Sequence, residues 1–163
     1  MDLGSAIIGI IVLGVFTLPF IITNRSRNKI KKQYLKSLLN IAEHNNCQID
    51  QHEIFGSFAI GLDETKKFVF FYRQTKNNVK EQSINLGLIQ NCRVVNISRA
   101  TNSKNRNEQV IDRLELNFLP MEHNQSEIKL EFYNADENAQ LYGELQSIEK
   151  WSIKIQDLLR NMK

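Results

Sequence analysis

Hydrophobic positions change their spacing three times along this chain. From Leu3 to Thr23 the sequence LGSAIIGIIVLGVFTLPFIIT is apolar or small on every face and holds no ionisable side chain. As a helix rising about 1.5 Å per residue it would extend roughly 31 Å, the thickness of a bilayer's hydrocarbon core. From 29 to 46, KIKKQYLKSLLNIAEHNN places Ile30, Tyr34, Leu35, Leu38, Leu39, Ile41 and Ala42 in a helical stripe with a polar back, stopped by Asn45-Asn46. The spacing then falls to two. IFGSFAIGL (54–62) and KKFVFFYRQ (66–74) flank the turn Asp63-Glu64-Thr65 and read as a hairpin. The second of these runs is apolar on both faces, which predicts an interior strand.

Further strands are predicted at CRVVNIS (92–98), VIDRLELNF (110–118) and EIKLEFY (127–133), with QTKNNVKE as a turn and ATNSKNRNEQ as a polar connection. Helical spacing returns at the end. Leu141, Leu145, Ile148, Trp151 or Ser152, Ile155 and Leu159 predict an amphipathic helix over about 138–161. Asn134 and Glu137 have the spacing of a capping box before it. The fold class is therefore α+β: an N-terminal transmembrane helix, a linker helix, then an antiparallel sheet capped by a long C-terminal helix. Three parts follow, with an anchor at 1–24, a basic juxtamembrane segment and linker helix at 25–46, and a soluble domain at 47–163.

A cleaved signal peptide would have a positive leading region and a small-x-small cleavage site. Here Met1 and Asp2 lead, and the cations come after the apolar run. Arg25, Arg27, Lys29, Lys31, Lys32 and Lys36 follow it, with no acidic residue before Glu43. By the positive-inside rule, this predicts a single-pass protein of the inner (cytoplasmic) membrane, N-terminus out and domain in the cytoplasm. The same six residues are the candidate lipid-head-group and topology site.

Charge sharpens this division. The chain carries 21 Lys/Arg and 18 Asp/Glu; residues 1–36 hold six of the cations and Asp2, leaving 15 against 17. A domain near −2 lacks the basic patch of a nucleic-acid-binding module, so no nucleic-acid partner is expected. Membrane lipid is the expected partner of the N-terminal helix, together with a protein partner for the domain.

The order of strands followed by one closing helix resembles a pleckstrin-homology-like domain, a bent meandering sheet plugged by a C-terminal helix. More narrowly, AIGLDETKKFVFFYR, NCRVVN, LELNF, LEFYNADE and ELQSIEKW resemble a group of small uncharacterised bacterial single-span membrane proteins. The resemblance implies the architecture and brings no activity. In folds of this type the loops between early strands can bind phosphorylated lipid heads. Here Lys66 and Lys67 are offset by Asp63 and Glu64, so that property is not carried over.

Candidate chemistry is sparse. The chain has no P-loop, no G-x-G-x-x-G and no G-x-S-x-G, and Cys47 and Cys92 fall in no family signature. An enzyme is not expected, and no cofactor or catalytic residue is assigned. HNNCQIDQH gathers His44, Cys47, Asp50 and His52, all competent zinc ligands, but its spacing fits no zinc signature and it crosses a helix-to-strand boundary. The leading function is a cytoplasmic interaction or scaffolding domain on a single-pass anchor. The alternative is a membrane-tethered enzyme or metal-binding protein using His44, Cys47 and His52.

Overall fold

A computed structural model describes residues 28–162, apart from 76–77, 104–105, 123 and 139 and the side chains of 101–108. The expected membrane span, with Arg25 and Arg27, lies outside the described residues. Helix α1 (28–44) leads into seven strands and a final helix. The strands are β1 (Gln51–Ile54), β2 (Phe58–Asp63), β3 (Phe68–Gln74), β4 (Val79–Asn85), β5 (Ile89–Ser103), β6 (Arg106–Pro120) and β7 (Ile128–Asn134), and the last element is α2 (Glu144–Asn161). They form two antiparallel meanders, a sheet ordered β1-β2-β3-β4 and a sheet ordered β5-β6-β7.

Strand alternation decides which layer each side chain enters. Phe58, Ile60 and Leu62 of β2 and Val69 and Phe71 of β3 point into the main core. There they meet Leu114, Leu116 and Phe118 of β6, Leu130 and Phe132 of β7, and the α2 stripe Ile148, Trp151, Ile155 and Leu159. Phe132 sits 4.6 Å from Phe58 and 5.7 Å from Phe71 between ring centroids, joining the two sheets through aromatic contact.

The alternate residues of the same strands, Ala59, Phe70 and Tyr72, form a second core with Tyr34, Leu38, Ile41 and Ala42 of α1. KKFVFFYRQ is thus apolar on both faces because both faces of β3 are covered. Gly61 lets α1 come close: a Cβ there would lie 3.0 Å from Leu38 Cδ2 and 3.1 Å from Ile49. The helix ends where Asn46 turns left-handed (φ 54°), while Asn45 Nδ2 donates to the Ile41 carbonyl at 2.8 Å.

Four expectations need correction. IFGSFAIGL is not one strand, because the chain breaks at 55–57 and divides it between β1 and β2. QTKNNVKE is not all turn: Gln74 ends β3 and Val79–Glu81 open β4, an edge strand whose alternation is faint because Ile84 is its one buried apolar residue. The polar stretch ATNSKNRNEQ is largely strand, since β5 runs on to Ser103 and β6 starts at Arg106. Finally, α2 starts at Glu144 rather than near Asn138, after Gly143 in a left-handed conformation (φ 117°). Asn134 and Glu137 therefore do not cap it; the Asn134 side chain accepts from Asp136 N within the preceding turn.

Candidate membrane-facing and interaction surfaces

The sequence of α1 divides it lengthwise and around its circumference. Residues 28–33 are all exposed, whereas Tyr34, Leu38, Ile41 and Ala42 are buried on the outer face of the four-stranded sheet. Tyr34 packs edge-on against Tyr72 with ring centroids 5.2 Å apart. Burial, reinforced by Tyr72, raises its phenol above the ordinary range. Lys29, Lys31, Lys32 and Lys36 are exposed, so four of the six cations singled out in the sequence belong to a helix fixed on the domain. Among the described residues, none of the four is paired with a carboxylate. No helix among the described residues is long and apolar enough to cross a membrane.

The residues of HNNCQIDQH are not assembled into one ligand set. No described group of three or more His, Cys, Asp and Glu could hold a metal ion. His44 is exposed at the end of α1 and His52 is exposed on β1. Cys47 is buried against α1 and the sheet, with its Sγ donating to the Asn45 carbonyl at 3.3 Å. Burial first, then the neighbouring Asp63 charge, push its thiol up and disfavour the thiolate a metal would need. Asp50 accepts from Glu64 N at 2.7 Å, holding the β2–β3 turn. In that turn Asp63 accepts from Gln48 N at 2.9 Å and Lys66 N at 2.7 Å. Burial alone would raise the Asp63 carboxyl, but these backbone donors outweigh it and hold the group below its ordinary value.

The fold also builds an ion-pair network around one buried arginine, which the sequence reading does not contain. Arg73 is 2% exposed and points between the sheets, with Glu131 at 3.0 Å and Glu137 at 2.7 Å. Its guanidinium also donates to the Glu131 carbonyl at 2.5 Å. Glu131 in turn meets Arg113 at 3.3 Å. Glu137 lines a cleft of about 370 Å³ with Gly56, Ser57, Gln74, Thr75, Asp136 and Asn138. The signal in the sequence is one cation, Arg73, at an inward position of an apolar strand.

The strand edge next to α2 is the second surface. β5 ends its sheet, and Gln156 of α2 donates to the Cys92 carbonyl at 2.8 Å, while Cys92 N donates to the Asn91 side chain. Both main-chain groups of Cys92 therefore face away from β6. By alternation, Val94 and Asn96 present theirs to the same side. A shallow cleft of about 340 Å³ lies beside this edge, lined by Gln90, Asn91, Gln156, Leu159 and Arg160. Burial pushes the Cys92 thiol up to about 12, which removes it as a nucleophile near neutral pH.

The chain was compared with protein-family models, with curated proteins and with solved structures. None matched.

Proposed function

We propose that this is a single-pass, N-out protein of the cytoplasmic membrane that presents a pleckstrin-homology-like interaction or scaffolding domain to the cytoplasm. The observation that carries the reading is the uncharged run Leu3–Thr23 followed at once by six cations. Two meandering antiparallel sheets closed by a C-terminal helix support the pleckstrin-homology-like part. The fixing of α1 on the outer sheet supports a direct mechanical connection from anchor to domain. The free β5 edge supports partner binding, because unpaired strand groups can take up an extended peptide from another protein.

The test is co-purification of the full chain from detergent-solubilised membranes, beside an Asn96→Pro variant. Proline removes an N–H on the free side of β5 and leaves the β6 ladder intact. A partner retained by the native chain and lost from the variant is the expected result. No partner above background, or an identical partner set for both, would overturn the interaction reading.

A further inference from the structure

On a helix turning about 100° per residue, Lys29, Lys32 and Lys36 project within an arc of about 60°. The centre of that arc lies about 165° from the mean direction of Tyr34, Leu38, Ile41 and Ala42, the residues that hold α1 on the sheet. The half of α1 that faces away from the domain thus carries a lysine stripe from Lys29 to Lys36, flanked by the exposed apolar Leu39, with Glu43 on the same face two turns beyond Lys36. Along α1 four lysines stand against the single acid Glu43. Beyond α1, Arg73, Arg93, Arg99, Arg113, Lys129, Lys150, Lys154 and Arg160 have carboxylate partners, and Lys66, Lys67 and Lys80 are the described cations that, like the α1 lysines, have none.

We propose that α1 lies along the anionic lipid surface of the membrane, with Lys29, Lys32 and Lys36 on the head groups and the four-stranded sheet on its far side. This rests on the anchoring reading above and adds an orientation to it. An α1 standing upright from Thr23 would carry Lys36 about 20 Å from the end of the apolar run, well past a Debye length of about 8 Å. Lys36 would then contribute nothing, and confining the lysines to one face would serve no electrostatic purpose. Lying flat, all three contact the leaflet at once, and Leu39 meets the interface beside them. Since α1 is fixed to the sheet, the leaflet sets the attitude of the whole domain and turns α2 and the β5 edge away from the lipid.

The experiment uses the full chain reconstituted into bilayers of neutral phosphatidylcholine, or of phosphatidylcholine with anionic phosphatidylserine. A fluorophore is attached at Asn40→Cys, an exposed position on the lysine face, and quenched by a quencher on the lipid head groups. Cys47 and Cys92 are buried and stay unlabelled. Strong quenching in anionic bilayers, weak quenching in neutral ones, and no quenching of a second probe at Ile153→Cys on α2 are the expected results. Each lysine replaced by Gln should lower the ratio of docked to undocked chains about fivefold, and all three together about a hundredfold.

Lys36→Gln should matter as much as Lys29→Gln. Quenching that ignores lipid charge, or that survives the triple substitution, overturns the orientation; in that case the stripe serves an acidic protein instead. A chain that alkali washes out of the bilayer overturns the anchoring reading itself. A chain that stays embedded without docking overturns only this inference.

Discussion

The contact of Leu38 with Gly61 is where the attachment of α1 to the domain is most open to attack. Leu38 is fully buried, and Leu38→Ala leaves a space on the outer sheet face that Ala59, Phe70 and Tyr72 cannot fill without moving. The loss is about 2–5 kcal/mol. Gly61→Ala acts in the opposite sense. Its new methyl would lie 3.0 Å from Leu38 and 3.1–3.2 Å from Ile49, closer than ordinary packing allows, at a cost of about 1–3 kcal/mol. In the Leu38→Ala background the tightest of these contacts is gone, and the half-buried Ile49 has room to shift.

The two changes should therefore couple, with the double variant more stable than the sum of the singles by about 0.5–3 kcal/mol. Urea unfolding of the full chain in detergent, followed by the fluorescence of its single Trp151, reads all four species. If Gly61→Ala costs the same in the native chain as in the Leu38→Ala background, α1 does not sit over Gly61 and the packing described for it is wrong.

Three further outcomes follow from individual groups. Arg73→Ala leaves the solvent-accessible Glu137 without its partner and Glu131 with Arg113 alone, and should cost about 1.5–3 kcal/mol in the same unfolding assay. Trp151→Phe removes the indole N–H that reaches the Glu53 carboxylate at 2.8 Å and should cost about 1.5–3 kcal/mol, followed by far-ultraviolet circular dichroism. Asp63 has a folded-state pKa held below its ordinary 3.8, so its contribution is present above that value and disappears as pH falls through the lower folded-state one. Asp63→Asn should accordingly destabilise the protein at neutral pH and shrink the gap to the native chain in acid; a gap that widens below about pH 4 refutes the assignment.

What was legible in the sequence was what repeats locally. Alternation in LELNF and in EIKLEFY located β6 and β7, and the double-sided apolar run around Phe68–Tyr72 marked an interior strand before its second cover, α1, was known. The three- and four-residue steps from Leu145 to Leu159 located α2. What escaped depended on distant neighbours. β4 stands at a sheet edge, where solvent lets Lys80, Glu81 and Ser83 replace the apolar alternation that interior strands require. The outer halves of β5 and β6 extend beyond the reach of β7, which pairs only with Arg113–Phe118, so their polar sequence imitates a loop.

The candidate surfaces divide in the same way. The lysines were countable, but that three of the four on α1, Lys29, Lys32 and Lys36, lie opposite the sheet depends on which side of α1 is buried. Arg73 reads as an anomaly in β3 until the fold brings Glu131 and Glu137, 58 and 64 residues later, to its side. His44, Cys47 and His52 show the reverse: adjacency in sequence gathered ligand-type residues that the fold then directed to a helix end, a core and a strand surface.

The central claim, an uncharged N-terminal segment holding the domain on the cytoplasmic side, is tested most directly by reporters fused after Lys163. A fluorescent protein that matures only in the cytoplasm should be bright at the membrane, and a phosphatase active only after export should be silent. A silent fluorescent fusion with an active phosphatase would contradict the account.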